Sequence, residues 1–200
     1  MKLLKLYRSL GIYGIIRLIC SFIFSKILYP QARIIRLPFY IRCEGKIVLG
    51  KGFSSNSGLV IDVYGNNSKL VIGKNVIANY RLHIGVCEYV SIGENTLFGS
   101  DCLIMDHSHG CYKGQKSSNP NTAPNERDLF SKPIKIGKNC WFGDKVSILP
   151  GVTVGNGVVI GAGSVVTHDL PANIVAVGSP AKVIKSFDFV KQEWIPWKGI

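Results

Sequence analysis

The chain has no metal-binding cysteine pattern, no acidic residue in its first fifth, and no apolar leader with a small-residue cleavage site. The six Cys stand at positions 20, 43, 87, 102, 111 and 140, with no CxxC pair and no metal-ligand spacing. That pattern argues against a zinc module or a disulfide framework and fits a reduced, cytoplasmic setting. Residues 1–43 hold Lys2, Lys5, Arg8, Arg17, Lys26, Arg33, Arg36 and Arg42 but no Asp or Glu, so eight of the net twelve positive charges lie there. The apolar residues among them predict one or two amphipathic helices ending before Pro30. Arg17 and Lys26 interrupt the run, which argues against a membrane-spanning helix. The missing cleavage site argues against a signal peptide. Such a basic, apolar segment fits a cap on the end of a fold, a helix lying on an anionic leaflet, or both. A pI near 9.5 also invites nucleic acid, but no reading element or aromatic-basic interleaving supports it.

What is present is a six-residue period. Ile136, Phe142, Ile148, Val154, Ile160 and Val166 recur every six residues, and Gly follows at 137, 143, 155 and 161. Four places after each apolar residue stand Cys140, Val146, Val152, Val158, Ser164 and Leu170. This period fits neither an amphipathic helix nor a half-buried strand. It fits a coil with short faces, one apolar residue pointing inward from each and Gly at tight corners. The phase continues backward through Phe98-Gly99, Ile92-Gly93, Ile84-Gly85 and Ile72-Gly73, and Leu49-Gly50 is read as opening the coil. Cys102 and Cys140 fall at inward positions, as small buried thiols. The expected fold is an all-β solenoid, a left-handed parallel β-helix of hexapeptide repeats. Its expected divisions are a basic helical segment at 1–43, the β-helix at 44–184 and a tail at 185–200.

Between Asp106 and Lys132 the period disappears into a Gly-, Ser-, Asn- and Pro-rich stretch, read as a long inserted loop at 107–132. It begins at Asp106-His107-Ser108-His109-Gly110. Imidazole titrates near neutrality and suits a general base, with Asp106 close enough to orient a ring. A solvated pair of loop histidines is the alternative. As a metal site the cluster lacks further ligands at workable spacing.

These features together resemble the left-handed β-helix O-acetyltransferases of the galactoside and maltose acetyltransferase group, and more narrowly the O-antigen and capsular polysaccharide acetyltransferases of bacteria. The resemblance rests on RIIRLPFYIR, GKGFSSNSGLVIDV, the turn MDHSHG and the block from IKIGKNCWFGDK to GSPAKVIK. It implies acetyl-CoA as acyl donor, a sugar or lipid-linked oligosaccharide as acceptor, and no metal. It also implies a homotrimer with sites between subunits, so that His109 and the Trp141 side come from different chains.

Carried over by position, the catalytic His falls on His109, thirty residues after Asn79, which would bind the acceptor hydroxyl. His107 is the runner-up base or an acceptor contact. Trp141 falls beside the thioester, where it would meet both substrates. Gly143, Asp144, Gly161, Ala162, Thr167, His168 and Lys185 fall on coenzyme A positions. Two of these depart from the sugar acetyltransferases: Asp144 stands for a Ser and His168 for a Lys. The second change would leave Lys182 and Lys185 as the basic contacts. The implied setting is the cytoplasm, with peripheral contact at the inner membrane if the basic segment docks there. The alternative reading is a non-catalytic solenoid scaffold that binds a membrane or an assembly. A metal hydratase on this fold is disfavoured by the spacing of His83, His107 and His109. Serine acetyltransferase is disfavoured by the short N-terminal segment.

Overall fold

Two apolar residues per face turn inward wherever the hexad is regular. In the coil that starts at Cys140 these are Cys140 and Phe142, Val146 and Ile148, then Val152 and Val154, none more than 2% exposed. A computed structural model describes residues 2–114 and 117–199, with side chains from Tyr7 onward. Lys2 and Lys5 are therefore outside the described side chains. The chain winds into a left-handed parallel β-solenoid of about seven turns behind an N-terminal helix. Its three walls are parallel stacks of short strands.

The first wall runs from Ile34–Ile35 through Ser54–Ser55, Ile77–Ala78, Leu97–Phe98, Trp141–Phe142 and Val159–Ile160 to Ile174–Val177. The second stacks Phe39–Cys43, Leu59–Val63, His83–Val86, Leu103–Met105, Ser147–Ile148 and Val165–Val166. The third stacks Lys46–Leu49, Lys69–Ile72, Tyr89–Ile92, Ile134–Ile136 and Thr153–Val154. Phe98 and Phe142 stack along the axis, ring centroids 4.6 Å apart and 16° from parallel. Cys102 and Cys140 are buried as expected, each thiol 3.2 Å from a backbone carbonyl of the coil beyond.

Three boundaries differ from the sequence reading. The coil opens at Ile34, ahead of the expected boundary at 44, because Ile34 and Ile35 already pair with Ser54 and Ser55. The segment read as a tail is a hairpin, with Lys182–Asp188 and Glu193–Pro196 pairing antiparallel on the first wall. The inserted loop has ordered ends: His107–His109 and Leu129–Ser131 pair antiparallel, and a 3₁₀ turn spans Pro124–Glu126.

The N-terminal helix Lys2–Leu28 is broken by the non-helical backbone of Gly11 (φ 63°, ψ 176°), a conformation that Gly adopts without a Cβ penalty. It is not amphipathic in the expected sense. From Arg17 onward its polar residues reach the protein: Leu37 N–H donates to Ser21 Oγ at 3.0 Å and Ile35 N–H to Ser25 Oγ at 2.7 Å. Arg17 donates to the Leu37 carbonyl and to Ser57 Oγ, and Lys26 Nζ to the Ala32 carbonyl at 2.7 Å. These contacts satisfy the open edge of the first wall, which would otherwise be a template for further strands. Many of its apolar residues face outward, with Ile12, Tyr13 and Ile27 about 70% exposed. Tyr7–Leu28 is long and apolar enough to cross a membrane by length and composition, with a mean hydropathy of 1.7.

Replacing Phe142 with Ala removes half of the axial stack and should cost about 3–5 kcal/mol of unfolding free energy in a urea titration. A loss below about 1 kcal/mol would contradict a close-packed axial core.

Candidate active site

At the corner between the first and second walls, Asn79, Gly99, Gly143 and Gly161 stand in one column. Each hangs its amide on the next coil: Asn79 on Phe98, Gly99 on Phe142, Gly143 on Ile160 and Gly161 on Ala176, at 2.7–3.0 Å. The glycines are needed because the coils nearly touch. A Cβ on Gly143 would lie 2.6 Å from the Ala162 nitrogen, and one on Gly99 would lie 2.6 Å from the Asp144 nitrogen. The result is a hollow of about 450 Å³, lined by Asn79, Gly99, Trp141, Gly143, Asp144, Val159, Ile160, Gly161 and Ala162.

Trp141 points outward from the first wall and remains 52% exposed. An indole so placed offers a large apolar face together with an N–H donor. Asn79 Oδ1 accepts from the Asn56 side chain at 3.1 Å, which turns the Asn79 amide NH₂ toward other partners. Asp144 Oδ1 accepts the Ser100 N–H at 2.6 Å, so this carboxylate caps the neighbouring corner. The backbone N–H groups of Asp144 and Ala162 donate to no protein acceptor among the described residues. Unpaired amides at the rim of a hollow are donors held in place for a ligand carbonyl or oxyanion.

The histidines are elsewhere. Asp106, wholly buried at the corner between the second and third walls, accepts N–H groups from Cys87 (2.7 Å), Glu88 (2.8 Å) and Tyr89 (3.0 Å). Its Oδ1 also meets His107 Nδ1 at 3.0 Å. The ring that Asp106 orients is therefore His107, whose side chain is only 10% exposed and packs edge-on to Tyr64 at 5.7 Å. His109 is exposed on the hairpin base. Its carbonyl accepts the Tyr112 hydroxyl at 2.5 Å, and that hydroxyl accepts from Arg127 Nη1 at 2.9 Å. Arg127 also donates to the carbonyls of Thr122 and Pro120, which ties the insertion together around one guanidinium.

Of the residues chosen from sequence, Asn79, Trp141, Gly143, Asp144, Gly161 and Ala162 meet in the hollow. Thr167 and His168 follow Val166, which lies two coils beyond Ile104 on the second wall, so they share the corner of Asp106 and His107. Lys185 is exposed on the C-terminal hairpin, opposite Val175. Within one chain, then, His109 and the hollow stand at different corners.

Cys87, Asp106 and His107 converge, their ligand atoms within 4.8 Å of one another. The set does not fit a cation: each Asp106 oxygen already accepts two hydrogen bonds. Burial, then the charge of Asp106, pushes the Cys87 thiol up to about 11, so it stays protonated at neutral pH. A neutral thiol is neither a ready ligand nor a nucleophile.

Comparison with known proteins follows the geometry. Residues 133–168 match the bacterial transferase hexapeptide (six repeats), and residues 89–108 match the hexapeptide repeat of succinyl-transferase. WbbJ of Escherichia coli strain K12, named for an O-acetyl transferase of lipopolysaccharide biosynthesis, is 41% identical over 96% of this chain and 98% of its own. The chain belongs to the hexapeptide-repeat O-acetyltransferases. Galactoside O-acetyltransferase of the same strain is 38% identical over 62% of this chain and 57% of its own. Among solved structures, a variant of AntD, an N-acyltransferase from Bacillus cereus bound to dTDP-4-amino-4,6-dideoxyglucose and coenzyme A, shares the fold. Its TM-score is 0.64 at 19% identity, covering 78% of this chain and 80% of that one.

Sequence reasoning missed Asp106 as the cap of three amides, and it missed the Tyr112–Arg127 brace. Both join residues distant in the chain, and only the Asp beside the two His gave a local signal. Because burial and Asp106 push its thiol up to about 11, Cys87 should alkylate about 10-fold more slowly at pH 8 than an ordinary thiol, the lost thiolate outweighing its higher nucleophilicity, read by site-resolved mass spectrometry. Reaction at an ordinary thiol's rate would show that Cys87 is not held neutral beside Asp106.

Proposed function

We propose that this protein transfers the acetyl group of acetyl-CoA to a sugar hydroxyl in the making of a bacterial cell-surface polysaccharide. The observation that carries this reading is the hollow itself, which gathers Asn79, Trp141 and the glycine corners around two unpaired backbone donors. Trp141 packs beside the thioester, and the Asp144 and Ala162 N–H groups donate hydrogen bonds to carbonyl oxygens of acetyl-CoA, including the oxyanion. Such a donor is worth about 3–4 kcal/mol of barrier. Lys185, Thr167 and His168 are further from the hollow and would meet the outer part of coenzyme A.

His109 is the base. It takes the hydroxyl proton as the sugar oxygen attacks the thioester carbonyl, and it returns that proton to the departing thiolate as the C–S bond breaks. Asn79 holds the acceptor hydroxyl through its side-chain amide. His107, locked on Asp106 and largely buried, supports the turn that presents His109. The separation of His109 from the hollow within one chain favours a homotrimer in which each site takes the histidine from a neighbour.

The N-terminal helix favours a peripheral membrane position on the cytoplasmic face and a lipid-linked oligosaccharide as acceptor. Its contacts to the first coil run along its length from Arg17 to Lys26. A helix tied down in this way lies beside the coil rather than crossing a bilayer away from it. Its exposed Ile, Phe and Tyr side chains would enter the lipid interface.

The test is acetyl-CoA turnover with an extracted lipid-linked saccharide precursor. His109→Ala should lower kcat by about 100-fold or more, with much smaller loss in His107→Ala. If only His107→Ala is inactive, the base has been assigned two residues too late. If the protein does not bind coenzyme A, the enzymatic reading fails and a scaffold remains.

A further inference from the structure

Between the N-terminal helix and the coil lies a second hollow of about 190 Å³. Gly14, Arg17 and Leu18 line it from the helix, and Arg36, Ser57 and Tyr80 from the coil. Arg36 also lines an adjoining hollow of about 220 Å³ with Arg33, Ser54 and Asn56. Neither lining contains an acidic residue. The nearby coil arginines of opposite behaviour are already paired: Arg42 with Asp62 and Arg81 with Asp101. By contrast, the guanidinium groups of Arg33 and Arg36 have no hydrogen-bond or ion-pair partner among the described residues. Arg17 uses one nitrogen on the Leu37 carbonyl and Ser57, which leaves its other N–H groups for a ligand. Uncompensated arginines in a concave, half-enclosed site bind phosphate oxygens well, because the planar fork offers paired donors.

The position of this hollow gives the ligand its class. Tyr80 lines it and Asn79, the preceding residue, lines the acetyl-transfer hollow, so the two sites abut at one peptide bond. On its other side the basic hollow is walled by the helix whose apolar residues face outward. From the helix to the transfer site the order is thus apolar surface, anion site, sugar site. A saccharide joined through diphosphate to a prenyl chain has the same order of parts.

We infer that Arg17 and Arg36, with Tyr80 beside them, form a subsite for the diphosphate of a prenyl-diphosphate-linked saccharide acceptor. This rests on the acetyltransferase reading for the neighbouring hollow, and it adds the part of the acceptor that the transfer site does not touch. The subsite fixes how deep the saccharide stands from the lipid and so which sugar reaches Asn79. A nucleoside diphosphate-sugar carries the same diphosphate, but it has no apolar chain to lie along Leu10 and Leu18, which also wall the hollow.

The test is calorimetric titration of the full chain in non-ionic detergent with farnesyl diphosphate, UDP, inorganic pyrophosphate and coenzyme A. Arg36→Ala is preferred to an Arg17 variant because Arg17 also holds the helix to the coil. Farnesyl diphosphate should bind more tightly than UDP or pyrophosphate. Arg36→Ala should weaken it about 10-fold or more, with Arg36→Lys between the two. Coenzyme A should bind wild type and variant alike and should not displace farnesyl diphosphate. Equal affinity for UDP or pyrophosphate would overturn the prenyl assignment, and displacement by coenzyme A would assign the arginines to the donor. An affinity for farnesyl diphosphate unchanged by Arg36→Ala would remove the subsite. None of these readings needs acetyl transfer, so a failure here is distinct from a failure of the proposed reaction.

Discussion

Each coil hangs on the next through backbone hydrogen bonds at the corners, and that requirement fixes nearly everything else. Because Gly99, Gly143 and Gly161 donate to Phe142, Ile160 and Ala176 at 2.7–2.9 Å, the corners must stack in line. A side chain at Gly143 would strike the backbone of the next coil, so the corner stays bare. A bare, stacked corner is a groove lined by backbone, and the Asp144 and Ala162 amides that follow Gly143 and Gly161 donate to no protein acceptor among the described residues. The same packing that buries the aliphatic axis therefore produces a site able to bind the carbonyls and oxyanion of an acyl donor.

The polar chemistry is set apart at another corner, where the chain leaves the coil and returns. Asp106 closes the exit: its carboxylate holds three consecutive amides of the coil before, and its carbonyl accepts the N–H of Lys132 at 2.8 Å as the chain comes back. With so many hydrogen bonds converging on one buried residue, the insertion starts from a rigid point. Arg127 and Tyr112 then fix the backbone at His109. The exposed imidazole rests on a stiff hairpin, and its ring has no hydrogen-bond or ion-pair partner among the described residues. A neighbouring copy is the partner that the proposed mechanism supplies.

The coils that could be read from sequence are those of regular length. Trp141 pairs with Val159, eighteen residues on, and there the hexad is plain. Ser54 pairs with Ile77, twenty-three residues on, so the earlier coils obscure the period and the start at Ile34 was missed. The helix was misjudged for a related reason. Composition shows apolar and basic residues together, but not that Ser21 and Ser25 would be drawn inward by the unpaired amides of Ile35 and Leu37. At the site, the glycines and Trp141 were legible because each belongs to the repeat. Asp106, Tyr112 and Arg127 act across turns and loops that carry no period. Thr167 and His168 were assigned to coenzyme A by resemblance, and the stacking of Val166 on Ile148 sets them one corner away from the hollow.

The central claim is that a working site combines the glycine corner of one subunit with His109 of another. Mixing two inactive variants tests it most directly: His109→Ala, which lacks the base, and Ala162→Trp, which fills the hollow at an exposed position. If sites form between subunits, refolded equal mixtures should recover about one quarter of wild-type turnover, since that fraction of interfaces joins an intact hollow to an intact histidine. Mixed oligomers that form but stay inactive would contradict the account and return the whole site to a single chain.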